Sequence, residues 1–198
     1  DCGGATFGME ISIDSKVTLR SLTMRGAVSS NPWGGACVEV SQNGQLVLDD
    51  VLLENCTSST GNGGAVAVSG LANITITGST IQFSTSTFGR GGGLFLSSFG
   101  TGRTIIENTV FRQNQAVNGG AIGIFGGVAN TVFLRGVRFE SNRATTGGGL
   151  FLEESAKPVL DECNFEQNIA TESGGGVFSV SSQGVFRSCT WEQNVAQG

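Results

Sequence analysis

Glycine pairs followed by Ala or a third Gly begin at Gly3, Gly34, Gly63, Gly91, Gly119, Gly147 and Gly174, at intervals of 31, 29, 28, 28, 28 and 27 residues. A second mark, an aromatic residue three positions before Asn, recurs as Phe111…Asn114, Phe139…Asn142, Phe165…Asn168 and Trp191…Asn194, in steps of 28, 26 and 26. Two independent marks with one period establish an internal repeat. Helix-sized amphipathic runs are missing. The segments between the marks are short and alternating, as in ITIT at 74–77, TVFL at 131–134 and GLFL at 149–152. Short β-branched runs punctuated by Gly, Ser and Asn read as strands of about four residues.

Several short strands repeated in register every 26–31 residues predict one coil of a parallel β-solenoid. The fold class is therefore all-β, with about seven coils stacked at the ordinary interstrand spacing into a rod of roughly 34 Å. Paired glycines suit its corners, where the chain turns with φ > 0 and no side chain can obstruct the next coil. Phe111, Phe139, Phe165 and Trp191 are expected to form an interior aromatic column, and the four asparagines an amide ladder along the axis. The chain, 1–198, reads as a single β-helix segment. It opens on a glycine pair and closes just before the next one is due, so it is expected to be a fragment of a longer protein.

With "GGA-[IVL]" and "FxxN" in hand, the repeat resembles that of chlamydial polymorphic outer-membrane proteins, and more broadly right-handed parallel β-helix proteins of the pectin-lyase-like type. The resemblance spans essentially the whole chain and is cleanest from 105 to 198. It implies a right-handed β-helix and, through the chlamydial family, surface display and adhesion. The third coil departs from the pattern, having Ile81 or Phe83 without the Asn.

A net charge of −5 with only 14% charged residues gives no basic face for nucleic acid. No run is long and apolar enough to span a membrane. The absence of His removes the usual hydrolase dyads and common zinc sites. Compared with polygalacturonase-like hydrolases and pectate lyases, the chain lacks the clustered Asp, the catalytic His and the long cleft-building loops. Asp49 and Asp161 hold nearly equivalent places four coils apart, roughly 19 Å, too far for paired hydrolysis. Glu140, Glu166 and Glu192 follow the aromatic mark and should form a column with neighbours about 5 Å apart. Three readings stay open for them: a solvated face with mixed ion pairs, a Ca²⁺ site, or an acid/base pair. No other cofactor and no other metal site is expected.

Cys163 and Cys189 hold one repeat position in successive coils, about 5 Å apart, so they form either a disulfide or a buried thiol pair. Cys37 and Cys56 hold different repeat positions, and Cys2 can pair outside this segment. Two sequons, Asn55-Cys56-Thr57 and Asn73-Ile74-Thr75, are candidate N-glycosylation sites. Alternation places Phe95, Phe151 and Phe178 in one outward column and Phe133 in another, beside Ile105, Val47, Val159 and Val185. A continuous outward apolar strip predicts packing against another chain, domain or solenoid.

The expected function is a non-catalytic structural or adhesive module of an extracellular or cell-surface protein. Its partners would be other protein chains of an assembly, with surface glycans a further option. The alternative is a carbohydrate-binding or carbohydrate-cleaving β-helix working through Glu140, Glu166 and Glu192.

Overall fold

A computed structural model describes residues 8–32, 34–97, 102–126 and 131–198. The glycine pair at Gly3 and the cysteine Cys2 lie outside these residues. Every strand pairing among them is parallel, and successive rungs stack along one axis. Among them no helix is long and apolar enough to cross a membrane.

Each turn contributes to three faces. The first face is a seven-stranded sheet running from Met9–Ile11 through Val38–Val40, Val66–Ser69, Leu94–Ser97, Ile122–Phe125 and Leu150–Glu153 to Val177–Ser179. The second is a bent twelve-stranded sheet. It begins with two ten-residue strands, Lys16–Arg25 and Gln45–Glu54. In later rungs the equivalent segment is split at a corner, as in Arg103–Glu107 followed by Val110–Arg112. The third face is seven short strands, from Val28–Ser29 to Val195–Ala196. Between Met9–Ile11 and Val177–Ser179 the chain makes six full turns, and each face has seven rungs, close to the expected seven coils.

The interior is a set of axial columns. Register pairs Met24 with Leu53, Leu53 with Ile81, Ile81 with Phe111, and so on through Phe139 and Phe165 to Trp191. Phe139 and Phe165 are fully buried, and their rings lie 4.3 Å apart and nearly parallel. Ile81, not Phe83, therefore holds the aromatic position in the third coil. Three residues after each member of this column stand Ala27, Cys56, Ser84, Asn114, Asn142, Asn168 and Asn194. Asn142 Oδ1 accepts from the Asn114 backbone N–H at 3.0 Å and from Asn114 Nδ2 at 3.2 Å. Its Nδ2 donates to Phe111 C=O at 2.9 Å and to Asn168 Oδ1 at 2.9 Å. The ladder thus satisfies buried backbone groups at a corner where the β-ladder cannot. At Ser84 the shorter hydroxyl accepts from the Cys56 N–H at 3.3 Å, so the corner persists without an amide.

The two glycines of a pair have different tasks. Gly119 has φ +66°, the left-handed conformation that turns the chain. Gly120 has no such φ. A methyl placed on it would come within 2.3 Å of Gly148 O in the next rung, so its requirement is close approach.

Replacing Asn142 by Ala strands the Asn114 N–H and the Phe111 C=O in the core, at about 1–3 kcal/mol for each group. Urea unfolding of Asn142→Ala should show a loss of about 2–5 kcal/mol, and a loss below about 1 kcal/mol would mean that the ladder contributes little.

Candidate functional site

The first face carries the outward column Glu10, Glu39, Ala67, Phe95, Gly123, Phe151 and Phe178, in register. Phe95 and Phe151 were expected to await a partner, but they are only 7% and 5% exposed within the single chain. The arm carrying each glycine pair doubles back over this face. A methyl on Gly174 would meet Phe178 Cβ at 2.8 Å, and one on Gly123 would meet Arg90 Cβ at 2.9 Å. Arg90 lies over the gap left by Gly123, with its guanidinium 4.9 Å from the Phe125 ring centre. It reaches Glu153 Oε2 at 2.8 Å. Phe151 stacks on the half-buried Phe178 at 5.7 Å. Simple in–out alternation missed this second layer. At the other end of the column Glu39 is buried and accepts from Asn31 Nδ2 at 3.1 Å. Burial pushes its carboxyl above the ordinary 4.5, the in-register Glu10 adds to the rise, and the Asn31 bond opposes it.

Phe133 stays outside. It is 36% exposed on the second face, in register with Ile105 and Val159, and Val159 pairs onward with the exposed Val185. Two positions along, Glu107, Arg135, Asp161 and Arg187 alternate in charge from rung to rung. Arg103 closes the other side, 5.9 Å from the Phe133 ring centre. Together they shape a shallow groove of about 290 Å³ with an apolar floor and charged walls. Spacing alone identified the floor. The charged wall was also legible, as residues two apart on each strand, but only once the register was fixed.

Glu140, Glu166 and Glu192 are adjacent and in register, as expected. They extend a mixed column in which Arg25, Glu54, Gln82 and Arg112 occupy the earlier rungs. Gln82 Nε2 donates to Glu54 Oε2 at 2.9 Å, and Arg112 Nη2 donates to Gln82 Oε1 at 2.6 Å. Arg138 pairs with Glu140. No group of three or more metal-ligating side chains converges among the described residues. Asp49 and Asp161 belong to the alternating charged column, four rungs apart. Asp49 there pairs with Arg20 at 3.2 Å.

Of the two readings open for Cys163 and Cys189, the structure has the thiol pair; no bridge joins them. In-register parallel neighbours keep their Cα–Cβ bonds parallel, which holds Cβ atoms near the 4.7–4.9 Å strand spacing. A disulfide needs about 3.8 Å. Each thiol instead donates to the carbonyl two residues back, Cys163 to Asp161 at 3.4 Å and Cys189 to Arg187 at 3.2 Å. Ser79 and Thr109 do the same in this column with hydroxyls. The disulfide joins Cys37 to Cys56, with Cα atoms 5.7 Å apart. It crosses the interior of one coil. Cys37 takes the inward position that Ala65 holds in the next rung: its N–H and that of Val38 both bond Ala65 C=O at 3.0 Å, as the N–H groups of Ala65 and Val66 both bond Gly93 C=O. The extra residue between Ala36 and Val38 was the available signal. Asn55 and Asn73, the sequon asparagines, are both exposed. Asn73 Oδ1 accepts from the Arg103 N–H at 3.0 Å.

A family model described as the right-handed β-helix region matches residues 83–198. No curated protein and no solved structure matches the chain.

Burial pushes the Cys163 thiol up to about 12, so it stays protonated and unreactive at pH 8. Iodoacetamide should label the half-buried Cys189 in the folded chain and Cys163 only after unfolding; equal labelling in the fold would contradict the buried site. Glu39 makes a separate prediction. The folded chain holds its proton more tightly than the unfolded chain, so stability declines as pH rises from about 4.5 through the folded value. Glu39→Gln keeps the Asn31 bond. It should remove that decline and exceed the parent in stability at pH 7, as read by thermal melts across pH.

Proposed function

The chain belongs to the right-handed β-helix family, and from that premise we propose that it is a stiff, non-catalytic module of a secreted or surface-displayed protein, serving assembly or attachment. The observation that carries this reading is the strip through Ile105, Phe133, Val159 and Val185. It is a continuous apolar strip that the chain's own arms leave uncovered on the second face, and alternating charges border it. Such a strip has the composition of a protein docking surface: an apolar centre with a charged rim that sets register more than affinity. The rod gives it a straight backing, because rungs bonded only to their neighbours make a quasi-one-dimensional body.

The Cys37–Cys56 disulfide supports an oxidising compartment, in keeping with an extracellular or cell-surface location. Glu140 is engaged by Arg138, which suits a lateral ion-pair network better than acid/base chemistry. Arg103 covers one side of the Phe133 ring, which leaves less of it open for a flat sugar to stack on and favours a protein partner over a glycan.

Phe133→Asp puts a charge at the centre of the strip without touching the core. Its melting temperature should stay within about 2 °C of the parent, as for surface substitutions. Lateral association of the native protein, followed by sedimentation velocity, should weaken at least about tenfold, equivalent to about 1.4 kcal/mol at one interface anchor. Unchanged association in a folded Phe133→Asp variant would refute the docking role. Glycan binding abolished by joint Glu140→Gln, Glu166→Gln and Glu192→Gln changes would replace it with the carbohydrate reading.

A further inference from the structure

Between the second and third faces every rung turns through a residue in the left-handed conformation. From the second rung onward these are Asn55, Phe83, Gln113, Ser141, Gln167 and Gln193, with φ between 52° and 55°. Small polar residues and amides suit such a corner. Gln167 Nε2 donates to Gln193 Oε1 at 3.0 Å, continuing a polar ladder on the outside. Phe83 breaks the pattern. A bulky aromatic at positive φ is strained and unusual. Its ring is 43% exposed and has no stacking partner among the described residues. Among the described residues no ring contact offsets the cost of placing it there.

Its neighbour in the preceding rung is Asn55. Register pairs Glu54 with Gln82 and Thr57 with Thr85, which sets Asn55 directly beside Phe83. The Asn55 N–H donates to the Gln82 carbonyl at 3.2 Å, and the two backbones lie at the interstrand spacing of about 4.8 Å. Asn55 begins the triplet Asn55-Cys56-Thr57. It is exposed, and its carboxamide makes no hydrogen bond among the described residues. Asn73, which begins the other triplet, has its carboxamide oxygen committed to Arg103.

We propose that Asn55 carries an N-linked glycan and that the exposed ring of Phe83 is the platform on which its first sugar packs. In the modification, Asn55 Nδ2 forms a bond to the anomeric carbon of an oligosaccharide carried on a polyprenyl diphosphate. The bond from that carbon to the diphosphate oxygen breaks, the nitrogen gives up one proton, and the lipid diphosphate leaves; no electrons are exchanged with an oxidant or reductant. The apolar face of a hexosamine then covers a ring that is otherwise half in water, which accounts for an aromatic residue at this corner. The proposal rests on the secretory part of the function above, and it is separable from it when secretion is imposed by a signal peptide.

The full chain is expressed behind a secretion signal in cultured animal cells and deglycosylated enzymatically in ¹⁸O water. Mass spectrometry should find Asn55 converted to labelled Asp. Melting temperature is then compared before and after native deglycosylation. The parent should drop by about 2–4 °C, Phe83→Gln by less than half as much, and Asn55→Gln should show neither label nor drop from this site. Phe83→Gln restores the ladder residue type, so it should fold. An unlabelled Asn55 in folded, secreted protein overturns the proposal. Equal drops in the parent and Phe83→Gln overturn the platform. Neither result bears on where the native protein resides, which fractionation of the source cells decides.

Discussion

Parallel hydrogen bonding between successive rungs is the constraint from which the rest of the structure follows. Once each strand must pair with the strand one turn away, every position in the repeat acquires a neighbour of its own kind at the interstrand distance. Inside, like residues then stack on like: Phe on Phe, amide on amide, small residue beside ring. Such stacking is favourable for apolar and amide groups. It is unfavourable for like charges, and one outer column accordingly places Thr77 between Asp49 and Glu107 and then alternates sign to Arg187, whereas Glu140, Glu166 and Glu192 stand side by side in another. The tolerance for sequence change therefore differs by column and is set by what a residue does to the rungs on either side.

The corners decide where the chain can turn without breaking that pairing. Left-handed residues recur at four places around the rung, one of them the first glycine of the pair from Gly63 onward. The second glycine is required by the approach of the next rung's carbonyl. The Asn ladder serves a third need, since a corner leaves backbone donors and acceptors buried without strand partners. Cys56 and Ser84 occupy the same column in the early rungs. The chain closes this region with a disulfide where the amide ladder ends.

The fold was legible because its signal is repetition. Two marks of common period gave the solenoid, the aromatic column and the ladder without knowledge of any contact. The features that were left open or misread are ones that periodicity does not describe. One extra residue separates the glycine pair at Gly34 from Val38, so Cys37 takes the inward position of Ala65, which counting from the glycines does not give. Cys163 and Cys189 share a position, but parallel Cβ vectors make a shared position a poor one for a disulfide. Phe95 and Phe151 alternate outward correctly, yet outward is not the same as exposed when the arm before each glycine pair folds over the strand. Phe133 lies on the face with no such arm, so the same alternation rule succeeded there. The candidate site was thus half legible: its apolar floor came from alternation, and its charged wall needed the register.

In-register axial stacking is tested most directly by distance measurements between spin labels carried on non-natural amino acids at exposed corner positions of one column. Ser21, Asn108 and Ser188 occupy the same left-handed corner in rungs one, four and seven. Pulsed dipolar spectroscopy should give backbone separations of roughly 14 Å for Ser21 to Asn108 and roughly 29 Å for Ser21 to Ser188, the second twice the first. Separations that fail to double with the number of rungs would contradict a single stacked axis.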